Sequence, residues 1–319
     1  MDFSQKTILI TGGTGSFGNK FTEIMLQEYN PKKLIIFSRD ELKQHQMRQR
    51  GLTQPNLRYF IGDVRDKDRL YRAFDGVDII VHAAALKQVP ACEYNPIEAV
   101  ATNIDGARNI IDSAIDRGVE RVLAMSTDKA TAPVNLYGAT KLVSEKLFVQ
   151  GNAYSGAEGT RFAAVRYGNV VGSRGSVVPI FKEQAKTGKL TVTDERMTRF
   201  WITLEQGVRF VISCIENMYG GEIFIPKLPS MSIMDLARAI APDAEVNIMG
   251  IRPGEKIHES MISEHEARQA VELDDRYVIM PAHPWWDKKY WQEGKSLPDG
   301  FEYSSDRNTH WLTDEEILA

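Results

Sequence analysis

The chain has 319 residues, 43% of them hydrophobic, so it can bury a large core as one large domain or two coupled ones. A net charge of −4 gives no electrostatic ground for nucleic-acid binding, and no apolar run approaches the roughly 20 residues of a membrane helix. Two cysteines, Cys92 and Cys214, lack CxxC spacing, and the N-terminus shows no signal-peptide pattern. The expectation is a soluble protein of the reducing cytoplasm.

Thr7–Ile10 reads as a first strand, followed by Thr11-Gly12-Gly13-Thr14-Gly15-Ser16-Phe17-Gly18 and an amphipathic helix carrying Phe21, Ile24 and Met25. Glycines at 12, 15 and 18 give a tight turn, close backbone approach to a pyrophosphate, and helix N–H groups aimed at the anion. Gly12, Thr14, Gly15, Ser16, Phe17 and Gly18 are therefore the expected dinucleotide contacts. A P-loop is excluded because Asn19 follows Gly18 where that motif needs lysine.

A second strand, Leu34–Phe37, ends in Ser38-Arg39-Asp40. A small hydroxyl followed by a guanidinium suits a 2′-phosphate, so NADP is favoured, although Asp40 lies near enough to leave NAD open. The third strand, Leu57–Ile61, runs into Gly62-Asp63-Val64, where Asp63 suits an adenine amine. The fourth, Val77–Val81, ends in His82-Ala83-Ala84-Ala85-Leu86-Lys87. Ala83, Ala84 and Ala85 let a cofactor lie on the backbone, Lys87 reaches its ribose or phosphates, and His82 reads as a packed histidine. A helix from about Pro96 to Ile115 carries Asn103. The repeated strand–helix alternation predicts an α/β fold with a Rossmann-type, doubly wound parallel sheet.

Arg121–Met125 reads as a buried strand that delivers Ser126-Thr127-Asp128-Lys129 to its C-terminal end, the edge where such sheets bind ligands. Tyr137 and Lys141 follow, four apart at the start of a helix and so on one face. There the ammonium is expected to lower the phenol from its usual value near 10, making it an acceptor for a substrate hydroxyl proton. By themselves Asp128 also reads as a turn cap and Lys129 as a solvated charge.

Beyond a strand at Phe162–Val165 and the run Arg166–Gly172, the alternation breaks into Val177-Val178-Pro179, Leu190–Val192 and Thr198–Ile202. A helix at Leu204–Asn217 and a strand at Glu222–Ile225 return to the main sheet, and a helix follows at Ile233–Ile240. The expected division is a nucleotide-binding domain of residues 1–170 plus about 204–227, and a smaller C-terminal α/β substrate domain of about 171–203 and 228–319. The aperiodic last stretch, with Trp285, Trp286, Trp291 and Trp311, reads as core or subunit contact.

With these motifs in register over nearly the whole chain, the sequence resembles the extended short-chain dehydrogenase/reductase family, in its nucleotide-sugar branch. Ser38–Lys43, Ser126–Ala130 and Ile251–Glu259 look like the soluble inverting UDP-N-acetylglucosamine 4,6-dehydratases of the pseudaminic-acid pathway. The resemblance implies a lyase with tightly held NADP that is regenerated in each cycle. Its implied catalytic residues are Thr127, Asp128, Lys129, Tyr137 and Lys141. Tyr137 takes the O4 proton, Asp128 protonates the departing C6 hydroxyl, and Lys129, where related dehydratases carry glutamate, is the C5 base. For that role Lys129 must be neutral, which requires a lowered pKa. The implied cofactor contacts add Ser38, Arg39, Asp63, Val64, Ala83, Ala84, Ala85, Lys87, Asn103, Ser126, Tyr137 and Lys141. The implied UDP-sugar contacts are Lys87, Thr127, Tyr137, Asn169, Val177, Arg199, Arg252 and Glu255, with the two arginines on the pyrophosphate. A homo-oligomer, dimer or larger and possibly a hexamer, is expected on the same basis.

Metal chemistry is not expected: His258-Glu259 begins like a zinc motif, but Ile262 stands where the second histidine belongs. The alternatives are a UDP-hexose 4-epimerase of the same fold, which needs no acid or base at 128 and 129, and a non-catalytic NADP-sensing protein.

Overall fold

The computed structural model describes residues 1–171, 177–283, 286 and 290–318; Gly172 and Trp285 lie outside the described residues. The chain begins with β1 (Thr7–Thr11), α1 (Ser16–Ile24), β2 (Lys33–Ser38), α2 (Glu41–Gln49), β3 (Leu57–Ile61), α3 (Lys67–Ala73) and β4 (Ile79–His82). Helices α4 (Val89–Tyr94), α5 (Pro96–Val100) and α6 (Gly106–Asp116) precede β5 (Arg121–Met125), α7 (Leu136–Ser155), β6 (Arg161–Val165) and β7 (Asn169–Val170). Next come α8 (Val177–Ala185), β8 (Lys189–Val192), β9 (Thr198–Ile202), α9 (Leu204–Asn217), β10 (Ile223–Pro226), β11 (Ser230–Ser232), α10 (Ile233–Ile240) and β12 (Glu245–Ile248). Strands β13 (Ser260–Ile262), β14 (Ala270–Glu272), β15 (Arg276–Ile279), β16 (Lys295–Ser296) and β17 (Tyr303–Ser304) follow, with a short helix α11 (Glu264–Ala267) after β13 and α12 (Asp314–Leu318) last.

The α/β expectation holds. Parallel pairing runs β3-β2-β1-β4-β5-β6-β10. The connections reverse direction at β1, which opens a crevice between the ends of β1 and β4, where doubly wound sheets bind ligands. Every residue of β1 is buried, as expected of a strand covered on both faces. The fourth strand is displaced from its expected span and includes His82. That histidine is buried, with Nδ1 2.8 Å from Thr11 Oγ1 and its ring 5.6 Å from Phe148. The expected single helix over residues 96–115 is α5 and α6 joined by a π turn at Ala101–Asp105.

Two corrections concern the second half. Val177-Val178-Pro179 opens α8, because proline is tolerated in a first helical turn. Part of residues 228–319 does not leave the main sheet: β15 pairs antiparallel with β10, and β14 and β16 continue that edge. Their side chains belong to the large cores, with Tyr277 and Ile279 on one face and Val271 and Val278 on the other. The smaller unit is a β11-β9-β7 sheet, the pairs β12-β8 and β13-β17, and α8 and α10 around Phe181, Leu190, Trp201, Met231 and Leu236. Trp286 and Trp291 are buried, Trp291 Nε1 donating to Glu222 at 3.2 Å, whereas Trp311 is exposed.

Arg166, wholly buried, fastens the two parts together. It donates to both oxygens of Glu145 on α7 (2.8 and 2.7 Å), to both oxygens of Glu266 (3.1 and 2.7 Å), and to the carbonyl of Met261 (3.0 Å). The helix that carries Tyr137 and Lys141 is thereby tied to chain some hundred residues further on.

Candidate active site

A cavity of about 1060 Å³ runs from the β1–α1 turn across the C-terminal ends of β4 and β5 to the 252–259 segment. Its lining includes Gly12, Thr14, Gly15, Ser16, Phe17, Gly18, Ser38, Arg39, Asp63, Val64, Ala83, Ala84, Ala85, Lys87 and Ser126. It also includes Thr127, Asp128, Lys129, Tyr137, Lys141, Asn169, Val177, Arg199, Arg252 and Glu255. Residues scattered through the sequence are thus gathered on one surface.

The end at the β1–α1 turn is a cradle. Gly12 has φ +64°, and a Cβ there would stand 2.9 Å from the backbone of Ala83 and Ala84, so the two turns meet only because it is glycine. Gly15 caps α1 without a side-chain hydrogen bond, leaving first-turn N–H groups to face an anion. Ser38 Oγ lies 2.9 Å from Thr14 Oγ1. Asp40 caps α2 through Lys43 N (2.9 Å) and pairs with Lys43 Nζ (2.8 Å). Arg39, half exposed, reaches Asp63 at 3.3 Å, and Arg65 also holds that carboxyl, which stays below the usual aspartate range despite burial.

Asn103 corrects an expectation. Its Oδ1 accepts from Leu86 N (2.9 Å), and its Nδ2 donates to Leu86 O (2.9 Å) and Thr140 Oγ1 (3.0 Å). With donors and acceptor spent on protein, Asn103 shapes the loop after β4 and fixes it to α7 rather than contacting a cofactor.

The reactive end is built on a 3₁₀ turn, Asp128–Ala130, directly after β5. Thr127 Oγ1 donates to Asp128 Oδ1 (2.9 Å), and Lys129 Nζ donates to the same oxygen at 3.2 Å. The turn presses against α7 at Gly138, where any Cβ would overlap the carbonyl oxygen of Lys129. Asn135 caps α7 through Gly138 N (2.8 Å) and donates to Gly254 O (2.8 Å), joining the helix start to the 252–256 segment.

Electrostatics reverse two expectations. Burial lifts Tyr137 to about 12, only partly offset by a hydrogen bond with the Thr127 side chain and by the Lys129 charge. Lys141 is not what governs the phenol; burial draws this lysine down to about 8 against the pull of Glu145. For Lys129 burial acts downward, but the carboxylates of Asp128 and Glu259 outweigh it and hold the ammonium above the usual lysine range. The requirement that Lys129 rest neutral is therefore not met by its surroundings.

Glu259 is the residue that sequence reasoning passed over. Its Oε1 accepts from Lys129 Nζ at 2.9 Å across 130 residues of chain, and it is 2% exposed. No local spacing links it to the turn at 128–130; it closes the Ile251–Glu259 stretch and begins an incomplete zinc motif, neither of which gave it a role. Arg199 also differs from expectation. Its Nη1 donates to Thr198 O (2.7 Å) and Ile257 O (2.8 Å), and its Nη2 donates to Lys256 O (3.1 Å). That guanidinium ties β9 to the 256–257 backbone through its Nη groups, and its Nε lies 4.0 Å from Glu259 Oε1. Arg252, largely exposed, pairs with Glu255 at the cavity mouth. Asn169 and Val177 line the wall between.

Residues 8–281 match a family described as polysaccharide biosynthesis protein. A Campylobacter jejuni subsp. jejuni protein named UDP-N-acetylglucosamine 4,6-dehydratase (inverting) is 54% identical, over 99% of this chain and 97% of that one. A Rickettsia conorii protein named UDP-glucose 4-epimerase is 42% identical, over 99% and 95%. The X-ray structure of Pen from Bacillus thuringiensis superposes with a TM-score of 0.90 at 38% identity, over 100% and 97% of the two chains.

Proposed function

The chain belongs to the polysaccharide biosynthesis protein family, within the extended short-chain dehydrogenases/reductases, and on that footing we propose that it is a UDP-N-acetylglucosamine 4,6-dehydratase that inverts C5. The observation that carries this reading is the Asp128–Lys129 pair, one proton between two functional groups, set beside Thr127 and Tyr137 in the cavity.

The cradle fits a nicotinamide dinucleotide, with Gly12–Gly18 for the pyrophosphate and the buried Ser126 Oγ, without a partner among the described residues, lining the path toward Tyr137. Arg39 and Lys43 at its rim, with Asp40 committed to its helix, support NADP over NAD. Bound there, the cofactor supplies a transient oxidation at C4 that is reversed at C6.

The protein's part is proton handling. Tyr137 receives the O4 proton as its phenolate, the form that burial disfavours and that the Thr127 hydrogen bond and the Lys129 ammonium favour, as the 4-ketone forms; that ketone acidifies the C5 hydrogen. At rest the neighbouring pair is an ammonium and a carboxylate. Moving one proton along the 3.2 Å Lys129–Asp128 hydrogen bond makes a neutral amine and a carboxylic acid, the base and acid that elimination needs. Lys129 then takes the C5 proton, Asp128 gives its proton to the C6 hydroxyl, and water leaves. The pair is again ammonium and carboxylate. A proton from Lys129 is next returned to C5 on the face of the planar enone opposite to the one deprotonated, which inverts that centre, and the proton gained by Tyr137 replaces it, so the cycle balances. The product is a 4-keto-6-deoxy sugar nucleotide with the β-L-arabino configuration, suited to a first step toward pseudaminic acid. A cytoplasmic homo-oligomer is part of the same reading.

The test is a proton NMR time course with UDP-N-acetylglucosamine in D2O. A new C6 methyl signal with deuterium and inverted couplings at C5 supports the proposal. Retained C5 configuration removes the inverting assignment, and a UDP-N-acetylgalactosamine anomeric signal without methyl makes the protein an epimerase.

A further inference from the structure

Lys129 is held from two sides. Asp128, its chain neighbour, takes one donor at 3.2 Å, and Glu259, arriving from the strand region after β12, takes another at 2.9 Å. Glu259 is not a loose surface partner. Its backbone N–H donates to Ser305 Oγ (3.0 Å), and its carbonyl accepts from Ser305 N (2.8 Å), so the segment is clamped on β17's side of the small unit. Its Oε2 is buried without a hydrogen-bond partner among the described residues, as is Asp128 Oδ2, and both residues line the cavity. A buried carboxylate oxygen with no donor is costly unless a ligand or a shifting proton completes it.

We propose that Glu259 is a positioning residue of the acid–base site: it anchors Lys129 Nζ at the cavity wall and biases the Asp128–Lys129 pair toward its ion-paired state. This rests on the dehydratase reading for its role in turnover, but the clamp itself is a property of the folded chain. In the ion-paired state Lys129 is a proton donor; the neutral pair forms only when the bias is overcome. A hydroxyl donated to Glu259 Oε2 withdraws negative charge from around the ammonium and favours that transfer, whereas one donated to Asp128 Oδ2 stabilises the carboxylate and opposes it. Substrate entry thus prepares the base. The charged and titratable groups facing Lys129 are Asp128 on its own turn, Glu259, Arg199 on β9, Lys256, Lys87 after β4, and Tyr137 on α7. Glu259 is the anion among them that the local sequence does not supply.

The experiment is competitive acetylation of the full-length protein by acetic anhydride from pH 7 to 11, read by mass spectrometry of the Lys129 peptide with exposed Lys32 as internal reference. Only the neutral amine reacts, so the profile reports protonation without substrate or turnover. In the parent the Lys129 profile lies at higher pH than that of Lys32. In Glu259→Gln it moves to lower pH, with labelling at pH 8 rising about tenfold for each unit of displacement. Glu259→Asp, which keeps the charge, stays near the parent. Coincident Lys129 profiles in the parent and in a folded Glu259→Gln overturn the proposal. If Glu259→Gln does not fold, a parent profile coinciding with Lys32 overturns it. Absence of dehydration in the parent, with the labelling shift present, removes the functional reading and leaves the clamp.

Discussion

The carbonyl oxygen of Lys129 occupies the place where a side chain on Gly138 would begin. This contact sets the distance between the proton-handling turn and the helix that carries Tyr137. A Gly138→Ala protein must move the turn, since the obstacle is backbone. Expected are a loss of kcat of roughly 100-fold, typical of ångström-scale misplacement, and a destabilisation of about 1–3 kcal/mol. Steady-state kinetics and urea unfolding of the same preparation check both.

The acid–base pair separates the proposed reaction from epimerisation. Asp128→Asn combined with Lys129→Met removes both proton positions while leaving Tyr137 in place. Methyl formation should fall by at least about 100-fold, the usual contribution of a positioned acid or base. A NMR time course reads it, and a double variant that still changes the substrate's C4 configuration at the parent rate identifies an epimerase.

Burial of Lys141 makes stability depend on pH in a definite direction. Its folded value of about 8 lies below the ordinary 10.5, so between these values the unfolded chain binds more protons and stability rises with pH. Below pH 8 both states are charged and the cost is present in full. Lys141→Met removes that cost. Its stabilisation relative to the parent should be largest near pH 7, of order 3 kcal/mol, and should vanish toward pH 10.5. Urea unfolding at pH 7.5 and 9.5 gives the difference.

Arg39 and Lys43 line the cavity at the rim of the cradle. Arg39→Ala should weaken NADP binding about tenfold or more and leave NAD binding nearly unchanged, since a charged hydrogen bond contributes roughly 1.5–3 kcal/mol. Nucleotide fluorescence titration of cofactor-stripped protein measures both affinities.

Arg166, itself wholly buried, joins two carboxylates. Arg166→Met leaves Glu145 buried without its cation and should cost about 3–5 kcal/mol. The glutamates are drawn from α7 and from the C-terminal part, so chemical denaturation should show the loss as a lower midpoint for the whole chain.

Much of this architecture is legible in the sequence because its determinants are local. The strand at Arg121–Met125 and the helices at Leu204–Asn217 and Ile233–Ile240 follow from hydrophobic runs and periodicity. Helical spacing put Tyr137 and Lys141 together, and the strand end delivered Thr127, Asp128 and Lys129. The return of β14, β15 and β16 to the main sheet was not legible. Those strands are short, and their pairing with β10 depends on partners far away in the chain.

By itself the sequence determined a doubly wound sheet, the glycine cradle and the cluster of polar groups at the end of β5, since each is fixed by neighbouring residues. Only the tertiary structure decided what those groups experience. Asn103 and Arg199 carry donors that suit a ligand, yet folding spends them on backbone carbonyls and a hydroxyl. Tyr137 and Lys141 lie on the expected face, but burial, rather than their spacing, displaces them in opposite directions. Lys129 is kept charged by Asp128 beside it and by a carboxylate 130 residues away, because electrostatic partners are chosen by distance in space and by the loss of water around them.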